Sequence, residues 1–180
     1  MEPVEINLGL YYLRALRADD RIDDRQAIVE GFTDPDTRQW APGWGIEDLA
    51  DAGRYIALRA GEWADDKRFS WGVADPTTGE LLGEVGLKEL DLEAGTAEAA
   101  CWTHPRGRGR GVASRALAAV VRFGFGAIGL ESVRYKHFES NKASGRVAEK
   151  CGFTEIERVE QAKLGDGTED RVLVRIATRD

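Results

Sequence analysis

The chain has 180 residues, 42% hydrophobic and 32% charged, with a formal net charge of −7. That length suits one domain with a sizeable core, and the acidic balance excludes a non-specific nucleic-acid binder. No apolar run approaches the roughly 20 residues that span a bilayer, and the acidic start Met1-Glu2-Pro3-Val4-Glu5 lacks the basic and apolar regions of a secretion signal; a cytoplasmic protein with neither membrane nor nucleic-acid partner is expected.

In chain order, residues 10–16 read as a first strand. Residues 19–32 read as a helix with Ile22, Ala27, Ile28 and Phe32 as its less polar positions. Residues 33–45 read as a loop carrying Pro35, Trp40, Pro42 and Trp44. Residues 46–63 read as a second helix, with Leu49, Ala52, Tyr55, Ile56 and Leu58 at partial helical spacing. The period then changes to two. Residues 69–74 read as a strand ending in the turn 75–79, residues 81–89 as a glycine-interrupted strand, and residues 97–103 as a third.

Val112, Ala116, Ala119, Val120, Phe123 and Ala127 make one apolar stripe, which predicts a helix over 112–128 stopped by Gly129. Residues 133–138 read as a strand. Residues 141–151 read as a short helix with Asn141 as N-cap and Ser144 at its third position, and Gly152 suits the left-handed position after it. Strands 154–161 and 171–178 close the chain through the turn 165–168. Helices first, then antiparallel strands, then alternation predict a single α+β domain over 1–180 with one large, mostly antiparallel sheet. The two cysteines, Cys101 and Cys151, are too few for a disulfide framework and read as small buried hydrophobes.

The stretch His104-Pro105-Arg106-Gly107-Arg108-Gly109-Arg110-Gly111-Val112-Ala113 joins a strand to the striped helix. A helix start leaves amide hydrogens without partners and carries partial positive charge. Glycines let that backbone approach a bound group closely. From residue 103 to residue 130 there are five arginines and no acidic residue, so an acidic protein gathers positive charge here. Together these features predict a site for a polyanionic ligand. No Gly-Lys-Ser/Thr follows the glycines, which disfavours a nucleotide P-loop.

This order and these motifs resemble the GNAT N-acetyltransferase superfamily, and within it the RimJ/RimL-like ribosomal-protein N-terminal acetyltransferases. The residues that carry the likeness are Leu13-Arg14-Ala15-Leu16-Arg17-Ala18-Asp19-Asp20, Ala97-Glu98-Ala99-Ala100-Cys101-Trp102-Thr103-His104-Pro105, Asn141-Lys142-Ala143-Ser144 and Glu149-Lys150-Cys151-Gly152-Phe153. The family's loop pattern Gln/Arg-x-x-Gly-x-Gly/Ala fits in two registers, starting at Arg106 or at Arg108. The second is preferred because it puts Ala113 in the first helical turn. The resemblance implies the GNAT fold: an α+β domain with a mixed, mostly antiparallel sheet of about seven strands, about four helices, and a splay between the fourth and fifth strands.

It also implies acetyl-CoA as acyl donor and a primary amine as acceptor, either a protein N-terminus or a small molecule. On this likeness Arg108, Gly109, Arg110, Gly111, Val112, Ala113 and Ser114 cradle the CoA pyrophosphate, Cys101, Trp102 and Thr103 pair with the pantetheine arm through their backbone, and Asn141 caps its helix, bonds the pantetheine, or does both with different atoms. The family's usual acidic tyrosine falls on Ala148, so the Ser144 hydroxyl becomes the proton donor to the leaving thiolate. Glu98 is the first candidate for the general base, since it stands among small residues where an unpaired carboxylate is costly; Glu84 and Glu139 are weaker candidates. His104 is expected to shape the turn with Pro105, and His137 to lie on a strand face. Trp40 and Trp44 are expected to wall the acceptor site. No metal is expected. An acyl-CoA sensor without turnover, a succinyl-CoA-using relative and a homodimer stay open.

Overall fold

The computed structural model describes residues 1–179, apart from the side chains of Glu155, Glu157 and Arg158. Eight strands form one sheet: β1 (Ile6–Asn7), β2 (Tyr12–Arg14), β3 (Phe69–Ala74), β4 (Leu81–Asp91), β5 (Thr96–Thr103), β6 (Ser132–Phe138), β7 (Glu155–Lys163) and β8 (Glu169–Thr178). Their spatial order is β1-β2-β3-β4-β5-β6-β8-β7. Every pairing is antiparallel except β5 with β6. The five helices are α1 (Arg25–Thr33), α2 (Pro35–Trp40), α3 (Leu49–Ala64), α4 (Val112–Phe123) and α5 (Lys142–Lys150). The expected α+β architecture is present, with one short strand and one short helix more than anticipated.

Two apolar clusters hold the layers together. One collects Phe69, Trp71 and Val73 of β3, Val85 and Leu87 of β4, and Val112, Ala116, Leu117 and Val120 of α4. The other collects Ile28 and Phe32 of α1, Ala52, Tyr55 and Ile56 of α3, and Leu16 and Leu81. The α4 stripe lies on the core as expected through Val120, with Phe123 half-buried against it. Beyond Gly124 the helix widens into one π turn over Gly124–Ile128, and Ala127 is exposed. Gly124 sits against Leu87 and Leu130, where a Cβ would come within 3.2 and 3.0 Å, and Gly129 closes the turn at φ 84°.

The first helix starts later than the pattern suggested. Asp19 accepts the amides of Arg21 and Ile22, at 2.9 and 3.2 Å, which makes a local turn in place of a helical one. Within the expected loop 33–45, α2 forms because the Asp34 carboxylate accepts the Thr37 amide at 3.0 Å and Pro35 occupies its first position. Asp48 and Asp51 form a reciprocal capping box on α3. Asn141 caps α5 by accepting the Ser144 amide at 3.0 Å, as predicted.

Candidate functional site

The parallel pairing of β5 with β6 runs from Thr96↔Ser132 to Ala99↔Tyr135 and stops. Ala100 to Thr103 keep their β4 partners but have none on the β6 side. The strands therefore splay, as expected, and one edge of β5 keeps backbone groups that a bound chain can satisfy. The wedge opens into a 780 Å³ cavity that continues to the glycine-rich loop and to α2.

At the loop end, the α4 N-cap is Gly111 at φ 74°, and no side chain caps the helix. The first-turn amides of Val112, Ala113 and Ser114 therefore lack a side-chain acceptor. These three residues, with Gly107, Arg108, Gly109 and Gly111, line the cavity; Arg110 does not. The Arg110 carbonyl instead accepts the Tyr11 hydroxyl at 2.7 Å.

The arginine charge predicted for the ligand is partly answered within the protein. Arg106 pairs with Glu30 at 3.1 Å and with Glu80. Arg108 pairs with Asp34, and with Asp36 at 3.1 Å. The backbone of Arg108 thus belongs to the loop, while its guanidinium is turned to α2. Charge counting along a short window missed this because Glu30, Asp34 and Asp36 lie more than 70 residues upstream of their arginines and Glu80 also lies outside the window. His104 shapes the turn as expected: its Nδ1 accepts the Arg106 amide at 3.2 Å and its Nε2 lies 3.2 Å from Glu30.

On the wedge wall, the Ser144 and Tyr135 hydroxyls are 2.9 Å apart, and the Tyr135 hydroxyl is 3.3 Å from Cys101 Sγ. All three residues line the cavity. Burial raises the Tyr135 hydroxyl well above its ordinary pKa, with Cys101 adding to the effect, so it stays protonated. Burial also raises both thiols, Cys151 to about 11, and both cysteines are free and half-buried against the core. Asn141 spends Oδ1 on its cap and still lines the cavity, leaving its amide NH2 for a ligand. The three predicted pantetheine-strand residues also line it, but the Trp102 ring points away into the α1 side, 5.0 Å from the Phe32 ring, with Nε1 donating to Glu84 at 3.0 Å.

Glu98 lies at the other end. It is buried but not unpaired: Oε1 is 2.8 Å from Lys88 Nζ and Oε2 is 3.3 Å from Lys136 Nζ. These two lysines arrive from the neighbouring strands β4 and β6, so the carboxylate stands in ion pairs among its small strand neighbours. Lys136 also reaches Glu160 at 3.6 Å, and Glu160 lines the same end. Glu84 is held in a separate buried network, and Glu139 pairs with Arg171 at 3.1 Å; neither lines the cavity.

The two loop tryptophans part company. Trp40 ends α2, lines the cavity and packs at 6.2 Å from the Phe138 ring. Trp44, expected beside it at the acceptor site, does not line the cavity. Its ring is held by Phe32 at 6.0 Å, by Tyr55 at 5.4 Å and by the Arg59 guanidinium at 4.9 Å. His137, on its strand face as expected, also lines the cavity. Its Nδ1–H donates to the Phe138 carbonyl at 2.9 Å, and its Nε2 accepts from Arg175 Nε at 3.0 Å. Among the described residues no cluster suits a metal ion, and no helix is long and apolar enough to cross a membrane.

Comparison with known proteins places this geometry. The acetyltransferase (GNAT) domain matches residues 12–154. The uncharacterized N-acetyltransferase YoaA of Bacillus subtilis is 28% identical over 145 residues, covering 81% of this chain and 82% of its own. RimL, a ribosomal alpha-N-protein acetyltransferase solved with coenzyme A, shares the fold at a TM-score of 0.86 and 15% identity, covering 98% of this chain and 99% of its own. The ribosomal-protein-S5-alanine acetyltransferase of Vibrio fischeri does so at 0.84 and 15% identity, over 98% and 97%. The domain match spans well over half of the sequence and takes in the wedge, the uncapped helix and the Ser144 helix start, and the chain belongs to the GNAT family of acetyltransferases.

Proposed function

We propose that this acetyltransferase moves an acetyl group from acetyl-CoA to a primary amine by direct attack of the amine on the thioester. One observation carries the reading: a single cavity joins an uncapped helix start, a strand edge without partners and a serine hydroxyl. The amides of Gly109, Gly111, Val112, Ala113 and Ser114 suit a pyrophosphate. The free edge of β5 from Ala100 to Thr103 suits the amides of a pantetheine arm, and the NH2 group of Asn141 is a further donor. The RimL neighbour solved with coenzyme A supports the donor class.

The amine lone pair attacks the carbonyl carbon, the carbon–sulfur bond breaks, and the sulfur leaves as a thiolate that needs a proton. Ser144 is the donor in reach of the wedge: it gives its proton as the carbon–sulfur bond breaks and regains one from the attacking nitrogen, which sheds a proton to become the amide. When Cys101 donates to Tyr135 and Tyr135 donates to Ser144, the serine proton is free to point into the cavity. The amine loses its proton to Glu98, one of whose lysines must swing away first; Lys136 has Glu160 as a second partner. The acceptor is an amine end that reaches past Trp40, whether a chain N-terminus or a small molecule.

A second reading is favoured by the same carboxylate. Both Glu98 oxygens are engaged by lysines, which suits a protein that binds acyl-CoA without turnover. Release of free CoA from acetyl-CoA, measured across a panel of peptides and small amines, decides between them. Turnover on any amine supports the transferase; CoA binding with turnover on none supports the sensor; no CoA binding sinks both.

A further inference from the structure

The helix α2 has six residues, and only Thr37 among them is buried. It therefore has little apolar surface to fix its position, yet Asp36, Thr37 and Trp40 line the cavity. Beside the Trp40 contact with Phe138 and the Arg38 bonds to Glu47 and the Phe32 carbonyl, a polar fastening to another part of the cavity holds each end. At its start, the Arg108 guanidinium from the glycine-rich loop meets the Asp34 carboxylate, Asp36 Oδ2 at 3.1 Å and Thr37 Oγ1 at 3.3 Å. Asp34 is at the same time the cap of α2, so one carboxylate serves both the helix and the loop.

Near its end, Gln39 is clasped by the turn between β7 and β8. Its carbonyl accepts the Gly165 amide at 3.0 Å, its Nε2 donates to Asp166 at 3.1 Å, and its Oε1 accepts the Asp166 amide at 3.2 Å. The approach is close enough to require glycine: a Cβ on Gly165 would lie 2.1 Å from the Arg38 carbonyl oxygen. The helix is thus a bridge between the loop that opens one end of the cavity and the hairpin that closes the other.

We propose that Arg108 is a positioning residue that fastens α2 to the glycine-rich loop, so that the loop which receives the cofactor also holds the wall of the acceptor end in place. This rests on the reading of the cavity as an acyl-donor and amine site. Two carboxylates already answer the guanidinium charge, so its part in holding a phosphate is small, and the loop's hold on an anion comes from main-chain amides. A simple charge-based reading makes Arg108 a CoA ligand, and the two roles give different results when the arginine is removed.

The test compares the wild type with Arg108→Ala and Gly165→Ala, two substitutions at opposite fastenings of α2. CoA affinity is measured by calorimetry, and amide hydrogen exchange is followed over residues 35–41 and 164–168 without ligand. Arg108→Ala is expected to keep CoA affinity within about threefold. Both variants are expected to speed exchange over residues 35–41 by more than about threefold while exchange in α4 stays as in the wild type. A larger loss of CoA affinity in Arg108→Ala, or wild-type exchange over residues 35–41 in either variant, overturns the proposal. Should Arg108→Ala fail to fold, Arg108→Gln carries the same two readouts. A wild type that does not bind CoA defeats the proposed function, while the exchange comparison still decides whether Arg108 holds the helix.

Discussion

The hydroxyl of Tyr135 stands 2.9 Å from that of Ser144, at the residue where β6 makes its last pairing with β5. The splay begins above this pair, so the serine hydroxyl is presented into the wedge from a fixed support. Ser144→Ala is expected to lower kcat by about 100-fold or more, the lower end of what a single proton-transfer group contributes, with CoA affinity within about threefold. Tyr135→Phe keeps the ring in the core and removes only the support, so a smaller loss in kcat, about three- to tenfold, is expected. Steady-state kinetics beside CoA titration checks both. A change confined to CoA affinity would sink the proton-donor role.

Gly111→Asp is expected to abolish CoA binding. Space is not the obstacle, since a Cβ there would meet only Arg115 Nε at 3.6 Å and Ser114 Oγ at 3.8 Å. The obstacles are the φ of 74°, which a side chain resists, and a carboxylate beside the uncapped amides of α4. Gly111→Ala separates them: it carries the strain without the charge and should weaken binding less. Equal affinity for CoA in Gly111→Asp and the wild type would place the anion cradle elsewhere.

Glu84 of β4 ties α3 to β5 in the buried layer. It is 1% exposed and accepts from the Tyr55 hydroxyl at 2.5 Å and from Trp102 Nε1 at 3.0 Å. Arg59 Nε lies 3.2 Å from its other oxygen and Arg68 lies 3.6 Å away. Removing one partner of such a cluster leaves buried cations and donors unmet, so Glu84→Ala is expected to cost about 3–5 kcal/mol in urea unfolding. Glu84→Gln keeps an acceptor and should cost less. A loss under about 1 kcal/mol for Glu84→Ala would show that solvent reaches the cluster.

Much of this was legible in the chain itself, and the reasons differ from residue to residue. The glycine-rich loop, the α4 stripe as far as Phe123 and the Asn141 cap are local patterns, and the structure places them where the pattern did. Tyr135 was not legible, because a tyrosine inside Val133-Arg134-Tyr135-Lys136-His137 reads as ordinary core; its meaning depends on where two strands part. The short helix α2 offers a single buried position and so no periodicity, although Asp34-Pro35 is a start signal in plain sight. Trp40 and Trp44 look alike in sequence, and only the course of the chain through and beyond α2 puts one on the cavity and the other against Phe32 and Arg59. The lysine partners of Glu98 come from neighbouring strands and are invisible to any reading along one strand.

Stability is expected to fall as the pH drops from about 7.5 to about 5.5, and the two histidines set the sign. Burial pushes the His104 imidazole below its ordinary value, and Arg106 adds to this against the opposing pull of Glu30. Burial does the same to His137, with the Phe138 carbonyl opposing it and Arg175 reinforcing it. A histidine whose folded pKa is lowered binds fewer protons folded than unfolded. Its contribution is therefore whole above the unfolded value of about 6.5 and is lost as the pH falls through the folded value. Geometry gives the cause: protonation of His104 removes the Nδ1 acceptor from the Arg106 amide, and protonation of His137 sets its Nε2 proton against Arg175. Acidic residues with depressed values, such as Asp19 at about 2, titrate well below this window and do not contribute to it. Urea midpoints at the two pH values check the expectation. His104→Asn, which offers an uncharged acceptor to the Arg106 amide, should narrow the gap between them, and a wild-type midpoint that is equal or higher at the lower pH would reverse the sign assigned to both imidazoles.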